Sequence, residues 1–379
     1  MRISVDCRYV RERPSGIGHY VRALVDRLPA LGPADQFHFW VDPRARRPLS
    51  RASNTRETVV NAPANGLRTL CCPNLLVPSR DFDVLHAPFN ILGRGVACPS
   101  VVTLHDLMWL EAPQLSEGIS PATPLKWLFY RDGIVRAVER ARRVIAISGA
   151  AADSICRRFP HARQRVRVIP HGIEARFRPV EDRDALHRTL ERLLGAQTRY
   201  FLVVGQNAPN KNHLAVLRAF ARAGLPSDVR LVLLQRLFAS GRIATFAVER
   251  LDRVAESLGI ARRVVFLPTL DDDEIISVYQ GALALIQFSR YEGFGMPALE
   301  AMACGTPVVA SNIPPLVEVL GGSGLHVPLE IPALGRALER LLREEALRAE
   351  LGHAGRERSR AFDWDRSARL HLETYREAV

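Results

Sequence analysis

Short apolar runs alternate with amphipathic, helix-type segments along nearly the whole chain. The run Ile3–Asp6 is followed by a helical pattern over His19–Leu28, and similar pairs recur as far as Val166–Ile169. The alternation begins again at Tyr200–Val204, which is followed by a helical pattern over Leu214–Ala223. Strands buried on both faces are continuously apolar, and strand–helix alternation is typical of parallel sheets. The pattern therefore predicts an α/β fold with two similar halves in tandem, each with about six strands.

A polar, arginine-rich stretch with little strand character, Glu174–Gln197, separates the two halves. We therefore predict an N-terminal domain over 1–180, a linker over 181–197, a C-terminal domain over 198–360 and a final helical segment over 361–379. The predicted strands of the first half are Ile3–Asp6, Phe37–Val41, Val84–His86, Val101–Leu104, Val144–Ile147 and Val166–Ile169. Those of the second half are Tyr200–Val204, Val229–Leu234, Val264–Leu267, Ala282–Phe288 and Thr306–Ala310.

Charge and composition narrow the class of protein. The net charge is +12, and of the 52 lysines and arginines only Lys126 and Lys211 are lysines. The positive charge favours an anionic partner such as a nucleotide or a phospholipid headgroup, although a compositional bias toward arginine is the alternative. No nucleic-acid recognition module is visible, so we expect no nucleic-acid partner. The six cysteines lack metal-binding or paired spacing, and no secretion signal or spanning segment is found, which predicts a cytoplasmic protein.

One segment, Ser289–Ser311, carries most of the chemical information. Pro297 suits the start of a helix, because its missing N–H needs no partner there, and Gly305 suits the position just after the helix end. The segment thus predicts strand, loop, short helix and strand. In parallel sheets, ligands bind outside the carboxyl ends of strands, which is where Glu292 lies, with Glu300 in the first turn of the helix.

Two carboxylates with backbone N–H groups between them suit a particular ligand. Carboxylates accept hydrogen bonds from sugar and ribose hydroxyls, and the free N–H groups at a helix start bind phosphate. Considered alone, each residue has an alternative that involves no ligand. Glu292 would be a solvent-exposed side chain, and Glu300 would only complement the helix dipole.

The string Glu292-Gly-Phe-Gly-x-Pro-x-x-Glu300 resembles glycosyltransferase family 4, whose members are retaining enzymes of the GT-B fold, and the resemblance covers nearly the entire chain. The residues around Gly16 and Gly18 are similar to the start of its mannosyltransferase-like members, and His105-Asp106 resembles its His-Asp element. The segment Phe362–Trp364 resembles the entry to a C-terminal helix that crosses back to the first domain. The resemblance implies two Rossmann-like domains facing a cleft.

The resemblance also implies a role for each matching residue. Glu292 would bind donor-sugar hydroxyls, Glu300 the donor ribose, and His105 would position or stabilise the reacting centre. The amides of Gly293, Phe294 and Gly295 would face the sugar and phosphates. Gly16 and Gly18 would let the first loop approach the diphosphate, since neither adds a side chain.

Lys211 follows the first strand of the second half and lies on the family's lysine position, where its charge would neutralise the leaving diphosphate. An ordinary solvated loop lysine is the alternative. The family's accompanying arginine is missing, because the corresponding positions hold Gln206 and Asn210. Arg236 is a candidate replacement. One donor-binding cation is therefore unassigned, and Gln206 remains among the candidate donor-binding residues.

Two further segments have competing interpretations. The aromatic and basic segment Leu125–Arg143 predicts either a helix in peripheral contact with an anionic inner membrane or a helix packed on the first sheet. The acidic run Asp271–Glu274 directly precedes a helical pattern, so it predicts a helix cap rather than a metal site. We expect no metal site and no cofactor.

These inferences combine into one predicted function. The chain is expected to be a metal-independent retaining hexosyltransferase that uses a nucleotide-diphosphate sugar, with GDP-mannose favoured, and a glycan or lipid-linked acceptor in bacterial surface polysaccharide synthesis. One alternative is a phosphorylase or sugar-phosphate synthase of the same fold. Another is a nucleotide-sugar or anionic-surface binding protein without transfer activity.

Overall fold

The computed structural model describes residues 1–11, 16–116, 123–195, 198–234, 250–268 and 270–379. The chain divides into two compact units. Unit 1 contains the described residues within Met1–Ala112, Pro121–Gly172 and Asp363–Val379, and unit 2 contains those within Pro113–Ser120 and Ile173–Phe362.

Unit 1 is built on a parallel sheet of seven strands in the order β3-β2-β1-β4-β5-β6-β7. The strands are β1 (Arg2–Asp6), β2 (Gln36–Val41), β3 (Thr55–Val59), β4 (Val84–Ala87), β5 (Ser100–Leu104), β6 (Arg143–Ala146) and β7 (Val166–Val168). Its described helices are α1 (Gly16–Val25), α2 (Leu28–Leu31), α3 (Leu67–Cys71), α4 (Met108–Glu111), α5 (Thr123–Arg140), α6 (Gly149–Arg158) and α15 (Trp364–Arg376). Apolar side chains on both faces of the sheet form its core.

Unit 2 is built on a parallel sheet of six strands in the order β10-β9-β8-β11-β12-β13. The strands are β8 (Arg199–Val204), β9 (Val229–Leu234), β10 (Val264–Leu267), β11 (Ala284–Gln287), β12 (Val308–Ser311) and β13 (Leu325–Val327). Its described helices are α7 (Arg183–Leu194), α8 (His213–Arg222), α9 (Leu251–Ser257), α10 (Asp272–Gln280), α11 (Met296–Ala303), α12 (Pro314–Leu320), α13 (Ile331–Arg343) and α14 (Glu345–Ser359).

The predicted α/β class with two Rossmann-like units is confirmed. The last helix, α15, belongs to unit 1 and buries Trp364, Leu372 and Tyr375 in its core, as the resemblance implied. The predicted cap is also confirmed, because Asp271 accepts a hydrogen bond from the Glu274 amide and Glu274 accepts one from the Asp271 amide. No described helix combines the length and the apolar composition that crossing a bilayer requires.

The structure differs from the sequence prediction in three places. Helix α1 begins at Gly16, three residues before the predicted start, and it ends at Val25 rather than Leu28, because Pro29 lacks an amide donor and its ring would clash with the Val25 carbonyl. Strands β3 and β13 were not predicted, since each is a short edge strand with little apolar pattern. The segment predicted as linker, 181–197, contains α7 of unit 2, which begins after its cap Asp182.

Candidate active site

The carboxylate of Glu292 lies in the loop between β11 and α11 and is held by three side chains. Its two oxygens accept hydrogen bonds from Lys211 Nζ at 2.7 and 2.8 Å. Oε1 also accepts from Ser289 Oγ at 2.7 Å and from Gln287 Nε2 at 3.1 Å. The Glu292 side chain is 9% exposed and that of Lys211 is 23% exposed. The two charges are therefore held in a fixed, partly shielded position.

Sheet topology explains why residues 81 positions apart meet here. Strands β8 and β11 are parallel neighbours, so the loops that follow them emerge at the same edge of the sheet. Asn210 joins the two loops, because its side-chain amide donates to the Tyr291 carbonyl at 3.1 Å and its own carbonyl accepts from the Arg290 amide at 2.7 Å. Asn210, which stands at the family's arginine position, thus fixes the backbone beside Glu292.

Gln206 follows β8 in the same loop and has an exposed side chain. The stem of Lys211 passes over Gly205, where an added Cβ atom would lie 3.8 Å from Lys211 Cε. Arg236, the candidate replacement for the missing cation, lies outside the described residues. Lys211 is accordingly the cation whose position beside Glu292 the structure defines.

The loop residues Gly293, Phe294 and Gly295 lead from Glu292 into α11. Gly295 has a φ of +118°, which strains any residue with a side chain, and a Cβ atom there would approach Leu316 Cδ2 to 2.6 Å, so the leucine side chain would also have to shift. The Phe294 ring is buried and contacts the Phe362 ring at 5.7 Å between centroids. The Phe294 side chain is thus a core contact rather than a ligand-binding group.

The amino end of α11 is partly occupied by protein groups. The Ala298 amide donates to Gln287 Oε1 at 2.9 Å, and Pro297 has no amide hydrogen. Gln287 therefore has two functions, since its Nε2 holds Glu292 and its Oε1 caps the helix. As predicted, Gly305 follows the helix with a positive φ of +76°.

Glu300 lies one turn into α11 and is 6% exposed. Its Oε2 accepts a hydrogen bond from the Tyr279 hydroxyl at 2.5 Å. Tyr279 belongs to α10, whose position is thereby coupled to this carboxylate. In unit 2 the structure places Glu292 in contact with Lys211, Gln206 in the same loop as Lys211, and Glu300 on the helix that follows Gly293–Gly295.

His105 belongs to unit 1 and directly follows β5. Its backbone N–H donates to Asn90 Oδ1 at 2.7 Å, and its Nε2 is 2.8 Å from the Pro88 carbonyl oxygen. A carbonyl oxygen only accepts, so Nε2 carries a hydrogen and Nδ1 has the lone pair in the neutral ring. Burial lowers the pKa of His105 to about 4, which leaves the ring neutral at pH 7.

Gly16 and Gly18 also belong to unit 1, where they form the first turn of α1. Gly18 is buried, while a Cβ atom on Gly16 would meet no atom within 4 Å. Within the described residues, no group of three or more histidines, cysteines or carboxylates is arranged to hold a metal ion.

Several residues of this site were not found from the sequence. Gln287, Ser289 and Asn210 hold the Glu292 loop, and Tyr279 holds Glu300. For Gln287 and Ser289 the sequence does contain a signal, because both are polar residues at the end of an otherwise apolar strand. Polar residues at that place in a parallel sheet point toward its ligand-binding edge.

Helix α5 packs its aromatic residues on the core of unit 1, as one of the two sequence interpretations predicted. Tyr130 stacks on Trp109 at 4.6 Å between centroids and packs with Trp127 against the core of unit 1. Leu125 and Leu128 on the same helix are 73% and 50% exposed. Trp127 and Tyr130 thus serve packing, and the exposed large apolar residues of the helix are the two leucines.

Buried histidines predict an acid-sensitive unit 1. Burial lowers the pKa values of His86, His105, His171 and His371. The unfolded chain, with histidine pKa values of about 6.5, then binds more protons than the folded chain as the pH falls from about 6.5 toward 4. The free energy of unfolding is therefore unaffected by these histidines above pH ~6.5. Below that pH, each buried histidine lowers the free energy of unfolding by up to about 1.4 kcal/mol per pH unit.

Tryptophan fluorescence measures this effect in unit 1 alone, because all four tryptophans of the chain lie there. We expect the thermal midpoint to fall steeply from pH 7 to pH 5. The midpoint should fall less steeply with pH in His371→Gln. In the control His187→Gln, which alters an exposed histidine of unit 2, it should fall as steeply as in the wild type. A midpoint independent of pH over this range would show that these histidines are not buried as described.

Comparisons with known proteins agree on one family. Residues 14–177 match the family described as Glycosyltransferase Family 4, and residues 191–358 match Glycosyl transferases group 1. D-inositol 3-phosphate glycosyltransferase of Acidothermus cellulolyticus is 33% identical over 328 residues, which cover 79% of this chain and 68% of that protein.

Two further proteins extend the comparison. The serotype-specific mannosyltransferase WbdA of Escherichia coli is 29% identical over 290 residues, which cover 76% of this chain and 34% of that protein. The crystal structure of Anabaena HepE in complex with UDP-glucose superposes with a TM-score of 0.73 at 20% identity, covering 99% of both chains. That similarity shows the predicted GT-B fold.

Proposed function

Because the chain belongs to glycosyltransferase family 4, we propose that it transfers a hexose from a nucleotide-diphosphate sugar to a hydroxyl group of a glycan or lipid-linked acceptor. Mannose is the favoured hexose and GDP-mannose the favoured donor, in agreement with the similarity to a mannosyltransferase. We place the reaction on the cytoplasmic side, in the synthesis of a bacterial surface polysaccharide.

The observation that carries this proposal is the Lys211–Glu292 pair at the carboxyl edge of the unit 2 sheet. A nucleotide-diphosphate sugar requires acceptors for its hydroxyls and a positive charge for its diphosphate. Glu292 supplies the first and Lys211 the second, 2.7 Å apart. Glu300 adds a second buried carboxylate on the same segment for the ribose.

The proposed chemistry needs little covalent participation from the protein. The bond between the anomeric carbon and the diphosphate breaks, and a bond from that carbon to the acceptor oxygen forms on the same face of the sugar, so the configuration is retained. The proton of the acceptor hydroxyl passes to an oxygen of the departing diphosphate. Negative charge grows on the leaving diphosphate, where Lys211 would stabilise it without a metal ion. Neutral His105, whose lone pair lies on Nδ1, would accept a hydrogen bond from a donor-sugar hydroxyl.

A thermal-shift panel tests donor binding and metal independence together. A ligand that binds only the folded state stabilises it by about 2.7 kcal/mol at a concentration one hundred times its Kd. We expect GDP or GDP-mannose to raise the unfolding midpoint more than UDP, ADP or their sugars, and equally with excess EDTA or Mg²⁺. A shift that requires Mg²⁺ would refute metal-independent binding, and no shift with any nucleotide would refute the proposal.

Peripheral membrane contact through α5 is the corresponding proposal for a lipid-linked acceptor. The exposed Leu125 and Leu128 flank Lys126, and Arg131 lies over the Trp127 ring at 5.1 Å. Apolar and basic residues on one helix suit an anionic bilayer surface. Flotation with anionic vesicles should be weakened in the double variant Leu125→Ser/Leu128→Ser, and equal flotation of both proteins would refute this contact.

A further inference from the structure

A chain of buried side chains connects the last helix of the protein to the sheet of unit 1. Its links are His371 Nε2 to Tyr20 OH at 2.6 Å, Tyr20 OH to Thr103 Oγ1 at 2.8 Å, Thr103 Oγ1 to His86 Nε2 at 2.8 Å and His86 Nδ1 to Tyr375 OH at 2.7 Å. All five residues are at most 1% exposed. The chain starts and ends on α15, with α1, β5 and β4 between.

The direction of each hydrogen bond in this series can be deduced from His371, which stands at one end of it. His371 Nδ1 is 2.7 Å from the Ser367 carbonyl oxygen, which only accepts, so Nδ1 carries a hydrogen. Burial lowers the pKa of His371 to about 4, and the neutral ring has its lone pair on Nε2. The Tyr20 hydroxyl therefore donates to His371 Nε2, and its oxygen accepts from the Thr103 hydroxyl.

The donor and the acceptor in the two remaining hydrogen bonds are then also determined. Since the Thr103 hydroxyl donates to Tyr20, Thr103 Oγ1 accepts from His86 Nε2, which must carry the hydrogen. Burial lowers the pKa of His86, so that ring is also neutral, and its Nδ1 accepts from the Tyr375 hydroxyl. Every N–H and O–H hydrogen in this series of side chains thus has an acceptor. The series is therefore rigid and does not tolerate the loss of one of its residues.

The hydrogen-bonded series contacts His105 through the Tyr20 ring, which is nearer to the imidazole than the two other rings beside it, those of His171 at 5.6 Å and Phe89 at 6.4 Å between centroids. The Tyr20 and His105 rings meet edge to face, with centroids 5.2 Å apart and planes at 83°. Hydrogen bonds to Pro88 and Asn90 hold the Nε2 atom and the backbone of His105, but a ring held at one nitrogen can still tilt. Contact with the Tyr20 ring restricts that tilt.

We propose that Tyr20 is a positioning residue for the His105 imidazole and that His371 and Thr103 hold Tyr20 in place, so that the C-terminal helix sets the geometry of a candidate catalytic group. The inference rests on the role proposed above for His105. It assigns a catalytic consequence to a helix that otherwise packs in the core of unit 1 and forms ion pairs with Arg27 and Asp35.

The variant Tyr20→Phe tests this inference, because it keeps the ring and removes the hydroxyl that both anchors use. Misplacement of a reacting group by about 1 Å costs up to about 10²-fold in rate. We expect kcat with the true donor to fall about tenfold with KM unchanged. Imidazole ¹⁵N NMR, with the His105 signal assigned from His105→Ala, should show a shifted and broadened His105 signal, because the ring is no longer held at one tilt.

A pair of variants at His371 provides the matched control. Glutamine can place its amide oxygen where Nε2 accepts from Tyr20, so His371→Gln should keep most of the activity and the His105 signal. Leucine cannot accept, so His371→Leu should reproduce the Tyr20→Phe effect on both. Leu372→Ala, on the same helix and in the same core, should lower the unfolding midpoint while leaving kcat and the His105 signal unchanged.

The outcomes separate this inference from the proposed function. If His105→Ala retains wild-type turnover, the role of His105 in the proposed function fails. If His105→Ala is impaired by about 10²-fold but Tyr20→Phe keeps wild-type kcat and the wild-type His105 signal, positioning by Tyr20 is overturned while the function stands. A loss of kcat in Leu372→Ala equal to that in Tyr20→Phe would also overturn it, since the effect would then be one of stability.

Discussion

The variant Glu292→Gln is expected to turn over the donor at least about 10²-fold more slowly than the wild type. Glutamine keeps the size of the side chain but removes the charge that Lys211 Nζ contacts at both carboxylate oxygens. Whichever way the amide is turned, its NH₂ group would also face the Lys211 ammonium, which has only donors and cannot accept a hydrogen bond from it. Sugar hydroxyls would then meet a poorly oriented amide. Steady-state kinetics with the true donor measure the change in kcat.

The control for this variant is Glu350→Gln, which makes the same chemical change at an exposed residue of α14. Both variants should stay folded, because Glu292 lies in a loop at a strand end and contributes little to the core. Turnover by Glu292→Gln within about twofold of the wild type would show that its carboxylate has no part in the reaction.

Lys211→Ala and Lys211→Arg are expected to form a graded pair. Lys211→Arg should lower kcat/KM about tenfold, equivalent to about 1.4 kcal/mol of transition-state stabilisation, and Lys211→Ala should cost more because the charge is lost. A lysine ammonium is a compact charge, and here it contacts two oxygens of one carboxylate from a stem that passes over Gly205. The wider, planar guanidinium cannot occupy the same position.

The chain supplies a matched control for the arginine variant, because Lys126 is its second lysine. Lys126→Arg makes the same change at an exposed position of α5 and should leave kcat/KM for the donor unchanged. If Lys211→Arg retains more than half of the wild-type kcat/KM, Lys211 acts only as an interchangeable positive charge.

The fold was predictable wherever burial dominates the sequence pattern. Central strands such as β8 and β9 are continuously apolar and were placed within one residue, because both of their faces are covered. Edge strand β3, with the sequence Thr-Arg-Glu-Thr-Val, has no such pattern and was missed. Helix α7 was interpreted as linker because only Leu194 is buried along its length. In both β3 and α7 few side chains are buried, so the tendency of the residues to form a strand or a helix was by itself too weak a signal.

The candidate site was predictable to the extent that its residues share a short segment or a recognisable position. Glu292 and Glu300 came from one string, and Lys211 from its place after a strand. The partners that hold them depend on which strands are neighbours, which the sequence alone does not state. The buried chain around Tyr20 is the extreme case, since Tyr20 and His371 are 351 positions apart and neither has a local pattern.

The central claim is that this chain transfers a hexose from a nucleotide-diphosphate sugar with retention at a site containing Glu292 and Lys211. The most direct test is ¹H NMR of GDP-mannose and a panel of other sugar nucleotides incubated with the wild type and with Glu292→Gln in EDTA, with candidate acceptor glycosides present. We predict that the wild type consumes one donor, GDP-mannose first among them, that the first product signal has the donor's anomeric configuration, and that Glu292→Gln produces almost none. An inverted product, or equal consumption by both proteins, would contradict the account.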